Sequence, residues 1–397
     1  MDVAVVGIVF LTSLVVTGWT GVAWVLTPCF LLAALPLPAF LQTKRFYRRV
    51  TRFIQWAWMG QVVLLLEKLF GIQVRVYGDA ETKAHESEIP QDRALWLSNH
   101  RTRIDWMLLW SVAWRTRTLH QLRIVLKAPL RRIPIFGWAM QHFIFIFLAR
   151  PSAGYKLRLP SYINDCAYVM QQRRWADDQV NLRKLLPFLT STEPEASYLL
   201  FPEGTDLSES NLEKSAAFAE KNGLQPRQYS LYPRTTGWTF MFPLLRSQLT
   251  AIYDVTMFYV DYAANERPSE ASLLTGRVPR MIHFYIERVD ISALRDKSES
   301  ELATWLEKRF ERKESLLKTF YEENGKLPHG AEPLFQQSRG PAMAVLVAFW
   351  LASIGAATIC GLIGNFISVI AAVVIVAGYN ISTTYGPGVD GFLIDNL

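Results

Sequence analysis

The stretch that decides the fold reads NHRTRIDW and covers residues 99–106. Within it, His100 is followed five positions later by Asp105. An imidazole with a carboxylate partner can act as a general base, because the carboxylate fixes its tautomer and stabilises the imidazolium that forms. Side chains five positions apart on a continuous helix point about 140° away from each other. The spacing therefore predicts that His100 lies in a loop.

The residues on either side of this stretch predict what the loop connects. Residues 94–98, ALWLS, are typical of a short buried strand, and residues 106–110 begin an apolar helical pattern. We therefore expect His100 in a strand-to-helix turn. Asp105 then falls in the first helical turn, where the helix dipole favours a carboxylate.

A second stretch repeats this arrangement far downstream. Residues 197–201, SYLLF, read as a strand, and Pro202, Glu203, Gly204 and Thr205 form the turn that leaves it. Polar turns that leave strands at one edge of an α/β sheet meet in a common crevice. We expect the two stretches to form one site.

Taken together, the two stretches resemble the glycerolipid acyltransferases, which include the lysophosphatidate acyltransferases. The family signature is a histidine, four residues and an aspartate, followed later by Phe-Pro-Glu-Gly. Further similarity lies at Lys127, in residues 137–150, and in residues 218–224 and 233–237. These elements resemble the eukaryotic branch with lysocardiolipin and lysophosphatidylinositol acyltransferases, and the resemblance covers roughly residues 45–325.

The resemblance implies acyl transfer from acyl-CoA to a free glycerol hydroxyl of a lysophospholipid. His100 would remove the hydroxyl proton and Asp105 would orient the imidazole, so no acyl-enzyme is needed. Lysophosphatidylinositol or lysocardiolipin is the first expectation for the acceptor. Lysophosphatidate is the second, as in a 1-acylglycerol-3-phosphate acyltransferase that makes phosphatidate. A non-catalytic lipid-binding or scaffold protein in the membrane is the alternative of another class.

The resemblance also implies which residues bind the acceptor. These are Arg150 and the loop of Phe201, Pro202, Glu203, Gly204 and Thr205. Arginine presents a planar fork to phosphate oxygens, and turn amides add donors. Ala149 stands where many members have aspartate, which bears on acceptor selectivity. Lys127 and Arg234 are candidates for phosphates of coenzyme A or the lipid head, with a snorkelling surface position as the equal alternative.

Several other residues allow a simpler interpretation. Trp106, Met107, Trp110 and Trp138 would line an acyl groove or, more commonly, pack in the core. His120, His142 and His283 lack a partnered motif and are expected to be structural or exposed. There is no His-Glu-x-x-His or cysteine-rich spacing, so we expect no metal. We expect no cofactor, with acyl-CoA as co-substrate.

Composition predicts an integral membrane protein. Hydrophobic residues make up 50% of the 397 residues. Residues 3–41 and 341–384 carry no charged side chain, and each run exceeds the roughly 20 residues needed to cross a bilayer.

The basic cluster at 44–52 favours the cytosolic side and anionic lipid. No recognition motif accompanies the net charge of +7, so we expect no nucleic-acid partner. The prediction is an endoplasmic reticulum membrane protein with a cytosolic catalytic face.

The chain order predicts an α/β fold with a mixed central sheet and flanking helices, plus N- and C-terminal transmembrane helical segments. Strands are expected at 94–98, 123–126, 143–148, 198–201, 255–259 and 281–288, and helices at 155–174, 211–221 and 299–323. The predicted regions are an N-terminal membrane anchor (1–43), a basic juxtamembrane and interfacial helix region (44–90), the catalytic domain (91–326), a linker (327–340), the C-terminal membrane segment or segments (341–379) and a tail (380–397).

Overall fold

The computed structural model of the chain describes residues 3–38, 42–148, 161–262, 266–335, 340–363 and 365–396. The chain forms two compact units. The first unit comprises Met1–Thr17, Gln55–Leu122 and Glu195–Ser353, and the second comprises Gly18–Ile54, Arg123–Pro194 and Ile354–Leu397. Each unit draws on distant parts of the chain, so neither corresponds to one of the predicted regions, whose boundaries stay predictions.

The strands lie close to their predicted places. They are β1 (Gln73–Gly78), β2 (Ala94–Ser98), β3 (Leu122–Lys127), β4 (Ile146–Leu148), β5 (Ser197–Leu200), β6 (Ala251–Tyr259), β7 (Met281–Asp290) and β8 (Glu332–Leu334). The six predicted strands all exist, although β4 is shorter than expected and β6 is longer. Strands β1 and β8 were not predicted, and β8 lies inside the residues predicted to be a linker.

The helices account for most of the remaining chain. They are α1 (Val3–Trp19), α2 (Thr27–Ala34), α3 (Thr43–Leu64), α4 (Ala80–Ala84), α5 (Asp105–Arg115), α6 (Phe136–His142), α7 (Ser161–Thr192), α8 (Glu209–Lys221), α9 (Thr235–Leu245), α10 (Glu270–Leu274), α11 (Glu299–Glu322), α12 (Gly340–Ile363), α13 (Asn365–Tyr385) and α14 (Gly388–Asn396). A π-helical segment, Thr20–Leu26, joins α1 to α2. The three helices predicted inside the catalytic domain correspond to α7, α8 and α11.

The first unit is built on a mixed sheet with strand order β5-β2-β6-β7-β1-β8. β2 is parallel to both β5 and β6, whereas β7 is antiparallel to β6. β1 then runs parallel to β7 and antiparallel to β8. Because β2 and β5 are adjacent and parallel, the loops that leave them emerge at the same edge of the sheet. This geometry confirms the mixed α/β class.

Helix α11 packs on this sheet with its apolar side. Leu302, Leu306, Phe310 and Leu317 are at most 1% exposed, as expected for an amphipathic helix that faces a core. Its N-terminus is closed by a capping box, in which Ser298 and Glu301 exchange hydrogen bonds. The apolar side of this helix therefore packs in the core.

The second unit holds a two-stranded parallel pair, β3 and β4. Around it lie α6, α7, α13 and α14. A buried hydrogen-bonded group links three of its segments, because His142 Nδ1 lies 2.7 Å from Tyr47 Oη and its Nε2 bonds Tyr379 Oη. His142 is therefore structural, as predicted, and burial lowers its pKa to about 3.

Three helical segments of the described chain are long and apolar enough to cross a membrane. They are Val5–Ala34, Ala342–Ile359 and Ser368–Tyr385. Apolar side chains on them point outwards, with Leu351 68% and Val373 62% exposed. Exposed apolar surface on this scale is stable against lipid and unfavourable in water. The protein is therefore a membrane protein, with candidate spans at both ends of the chain.

Candidate active site

The histidine loop has the predicted local structure. β2 ends at Ser98 and α5 begins at Asp105, so His100 lies in the intervening loop and Asp105 is the first residue of the helix. Asn99 fixes the start of the loop, because its side-chain oxygen accepts the backbone N–H of Met257 at 2.9 Å. The turn is therefore anchored to the neighbouring strand β6.

His100 and Asp105 form a direct hydrogen bond. The distance from His100 Nδ1 to Asp105 Oδ2 is 3.0 Å, and Asp105 is fully buried whereas the His100 side chain is 17% exposed. An ionised carboxylate only accepts hydrogen bonds, so this contact places the ring proton on Nδ1. The lone pair on Nε2 is then free to take a proton from a substrate.

Asp105 accepts three further hydrogen bonds that hold it in place. Thr102 donates its backbone N–H to Oδ2 at 2.9 Å and its hydroxyl to Oδ1 at 3.0 Å. Tyr259 donates its hydroxyl to Oδ1 at 2.5 Å. Because a buried carboxylate is stable only with such donors, these contacts hold Asp105 in the position that orients the imidazole.

Tyr259 was not identified from the sequence. It is the last residue of β6 and is fully buried. Burial and the neighbouring Asp105 carboxylate raise the pKa of Tyr259 well above its usual value, so the hydroxyl remains a donor. Its position at the end of a strand parallel to β2 was the one available signal, since strand ends at that edge were expected to carry the site.

Glu203 ties the second loop to the first. Its Oε1 accepts the backbone N–H of His100 at 2.9 Å, and its Oε2 accepts the backbone N–H of Leu231 at 3.0 Å. Glu203 is 2% exposed. Burial raises the pKa of Glu203 to about 8, although the two backbone donors act in the opposite direction. Both oxygens are thus bonded to the protein backbone, which makes Glu203 a bridge between the two sequence motifs.

Other contacts join the same two loops. The Phe201 ring packs on the His100 ring, with 4.4 Å between centroids, and the backbone N–H of Leu207 donates to the His100 carbonyl at 2.9 Å. Gly204 has a φ of +76°, which favours glycine at this turn. The expectation that the two distant stretches form one site is met by these distances.

A buried arginine next to the histidine is held by helix α11. Arg101 is 3% exposed, and its guanidinium donates to the hydroxyl of Tyr321 on α11 and, at 2.7 Å, to the carbonyl of Glu266. The guanidinium carbon also lies 5.3 Å from the centre of the Tyr259 ring, within cation–π range. The residue after His100 is thus held in place by the C-terminal part of the unit.

The remaining predicted site residues are placed as follows. Arg150 and Ala149 lie outside the described residues. Lys127 is exposed at the end of β3 in the second unit. Arg234 is exposed at the N-terminal cap of α9, and its backbone N–H donates to the Pro202 carbonyl at 2.8 Å. Their ligand contacts stay predictions.

Residues with a simpler interpretation are mostly in the core. Trp110 and Trp138 are at most 1% exposed, so they serve as packing residues. His283 packs against the Tyr77 ring at 5.3 Å, and burial with the nearby Arg75 charge lowers its pKa to about 4. Among the described residues, no three His, Cys, Asp or Glu side chains are grouped as they would be around a metal ion.

The sequence matches two models of a known protein family. A family model described as Acyltransferase matches residues 73–259, and one described as Acyltransferase C-terminus matches residues 272–350. The first match contains both loops of the site. The second contains all of α11, including Tyr321, so the helix that holds Arg101 belongs to the part of the chain that the second family model covers.

Curated relatives extend over most of the chain. Lysocardiolipin acyltransferase 1 of Gallus gallus is 37% identical over 318 residues, which are 80% of this chain and 73% of that protein. Lysophosphatidylinositol acyltransferase 10 of Caenorhabditis elegans is 34% identical, over 73% of this chain and 66% of that protein. Probable 1-acyl-sn-glycerol-3-phosphate acyltransferase 5 of Arabidopsis thaliana is 31% identical, over 74% and 69%. No solved structure gives a significant match. The chain therefore belongs to the acyltransferase family, in the branch of the lysocardiolipin and lysophosphatidylinositol acyltransferases.

Proposed function

We propose that this protein transfers an acyl group from acyl-CoA to a free glycerol hydroxyl of a lysophospholipid. The observation that carries the proposal is the 3.0 Å hydrogen bond between His100 and the buried Asp105, in a site tied to the second family motif by Glu203. The names of the relatives support the same reaction class, because they are acyltransferases of lysolipids.

The site suits direct attack by the acceptor. His100 Nε2 takes the proton of the lysolipid hydroxyl, and the oxygen forms a bond to the thioester carbonyl carbon. The carbon–sulfur bond then breaks, and the coenzyme A thiolate leaves and receives the proton from His100. Asp105 stabilises the imidazolium between these two transfers. Acyl-CoA is the co-substrate, and the steps written here need no resident cofactor or metal.

The acceptor phosphate is assigned to the second loop and to Arg150. The loop consists of Phe201, Pro202, Glu203, Gly204 and Thr205, and Phe201 already packs on the His100 ring. Since both Glu203 oxygens accept backbone donors, its contribution is to hold the loop, while backbone amides and arginine meet the phosphate. Lys127 and Arg234 remain candidates for phosphates of coenzyme A or the lipid head.

Two acceptor classes are supported by the relatives. Lysophosphatidylinositol or lysocardiolipin comes first, because proteins with those names align over most of this chain. Lysophosphatidate comes second, on the likeness to the Arabidopsis protein named as a probable 1-acyl-sn-glycerol-3-phosphate acyltransferase. With the first choice we also propose an endoplasmic reticulum location, a cytosolic catalytic face and contact with anionic lipid.

The test is release of coenzyme A by the purified full-length protein in detergent, with long-chain acyl-CoA and a panel of lysolipids. We expect one class of lysolipid to stimulate release, and His100→Ala to lower kcat by about 10²–10⁴, the usual contribution of a general base. The matched control is His329→Ala, which changes an exposed histidine.

Two outcomes would refute the proposal. One is that none of the lysolipids stimulates release. The other is that His100→Ala is as active as His329→Ala, which would favour a lipid-binding or scaffold protein that keeps the fold without the reaction.

A further inference from the structure

The second unit contains a strongly basic cavity for which acyl transfer gives no use. Its volume is about 320 Å³. It is lined by Lys44, Arg45, Arg48, Arg49, Arg52 and Thr192. Among the described residues, the lining thus offers five cationic side chains and a hydroxyl, and no carboxylate.

The basic residues come together because of their helical spacing. Lys44, Arg48 and Arg52 follow one another at intervals of four on α3, and Arg45 and Arg49 lie beside them. Residues four apart share a helix face, and like charges at this spacing destabilise a helix. A face built in this way carries a cost that a bound anion removes.

One carboxylate organises the cluster without neutralising it. Glu193 lies 2.7 Å from Arg52 Nε, 3.6 Å from Arg48 Nη1 and 3.4 Å from Arg123 Nη2. Three guanidinium groups therefore contact the same carboxylate. Glu193 is only 4% exposed, so it holds these arginines in place from the buried side.

Arg48 is held in position with a donor to spare. Its guanidinium carbon lies 5.2 Å from the centre of the Phe188 ring, and Glu193 fixes its Nη1. Its Nη2 is buried and has no hydrogen-bond partner among the described residues. A buried donor without an acceptor is unfavourable, whereas a rigid guanidinium with a free N–H suits a phosphate oxygen.

The cavity lies near the ends of two candidate membrane spans, at residues that belong to the same unit. The Tyr47 ring, next to Arg48, is 6.0 Å from the Phe30 ring, and Phe30 belongs to the candidate span Val5–Ala34. Lys44 Nζ donates at 3.0 Å to the carbonyl of Asn396, the last residue of α14. That helix is about 13 Å long and begins three residues after the end of the candidate span Ser368–Tyr385. The cavity thus lies beside the ends of two segments that could cross a membrane.

We propose that this cavity binds the phosphomonoester headgroup of an anionic membrane lipid. A phosphomonoester carries about 1.5 to 2 negative charges at pH 7 and three acceptor oxygens, which matches a cavity with several cations and the unpaired Nη2 of Arg48. The site is discrete, in contrast to diffuse attraction between a basic surface and a bilayer. It does not depend on the proposed acyl transfer, because its binding can be measured without turnover.

The experiment counts lipids bound to the full-length protein by native mass spectrometry in detergent. Dioctanoyl phosphatidate is the probe, and dioctanoyl phosphatidylglycerol, a phosphodiester, is the comparison lipid. We expect one equivalent of phosphatidate to lose affinity about tenfold or more in Arg48→Gln. Phosphatidate that binds equally well to wild type and Arg48→Gln belongs to another site, such as the catalytic cleft. Arg295→Gln, which changes an exposed arginine in the first unit, should leave the affinity for phosphatidate unchanged.

A second variant guards against misfolding of Arg48→Gln. Arg45 and Arg49 are exposed cavity residues, so the double variant Arg45→Gln and Arg49→Gln should fold and still lose severalfold in affinity. Unchanged phosphatidate binding in this variant would overturn the proposal. Equal affinity for phosphatidylglycerol would show diffuse attraction, and displacement by inorganic phosphate or coenzyme A would assign the cavity to a soluble ligand. Both outcomes would also overturn it.

Discussion

Removal of the Tyr259 hydroxyl should slow the reaction without weakening substrate binding. This hydroxyl donates to Asp105 at 2.5 Å, and a hydrogen bond to a charged group contributes about 1.5–3 kcal/mol. If the transition state lost all of it, kcat would fall by roughly 10- to 150-fold. Asp105 keeps its bonds from Thr102 and His100, so we expect the lower end, about tenfold. KM should stay within about twofold, because Tyr259 is fully buried and phenylalanine keeps the ring, so the change removes only the hydroxyl that bonds Asp105.

The assay is coenzyme A release at saturating and at limiting acceptor, with Tyr259→Phe. The matched control is Tyr262→Phe, because the Tyr262 hydroxyl donates to the Arg277 carbonyl at 3.1 Å and not to the site. Unfolding midpoints of both variants would be recorded, and kinetics would be measured well below them. A wild-type kcat in Tyr259→Phe, or a rise in KM at constant kcat, would refute the reasoning.

Two buried ionisable side chains in the first unit, Glu203 and Lys313, give further predictions. The pKa of Glu203 is raised from 4.5 to about 8, so between these values the folded state binds more protons than the unfolded state. The contribution of Glu203 to the free energy of unfolding is therefore full below pH 4.5 and is lost as the pH rises through 8. The unfolding midpoint of wild type should fall more steeply over this range than that of Glu203→Gln, and parallel curves would contradict the assignment. Lys313 Nζ lies 2.5 Å from Asp254 Oδ1, so Lys313→Met should lower the free energy of unfolding by about 3 kcal/mol, since it leaves a buried carboxylate short of a partner. The exposed Lys318→Met is the control, and equal losses in denaturant titrations would disprove the role of the pair.

The pair of His100 and Asp105 could be predicted because the evidence for it is local. An apolar strand, a polar turn and an apolar helix follow one another within a few residues, and their boundaries place His100 in the loop and Asp105 in the first helical turn. Strand β2 has the predicted bounds, since continuous apolar residues indicate a strand buried on both faces. The parallel pairing of β2 with β5 then brings Glu203 to the same edge.

The partners of the pair could not be predicted, because they are distant in sequence. Asp105 and Tyr259 are 154 residues apart, and every residue of β6 is buried, so apart from its place at the end of a strand nothing distinguished Tyr259 from an ordinary core residue. The bridging role of Glu203 depends on backbone donors, and a backbone N–H has no signature in the residue type. Strand β1 pairs with β7 on one side, and its alternation at Val74 and Val76 was present but short.

The hold of α11 on the catalytic loop has a consequence for the order in which the polypeptide is made. Arg101 leaves the ribosome 220 residues before Tyr321, which at about 5–20 residues per second is a delay of roughly 10–40 s. During that time the loop that carries His100 lacks the tyrosine that holds Arg101. The arrangement of side chains described here is therefore complete only after Tyr321 has been added to the growing chain.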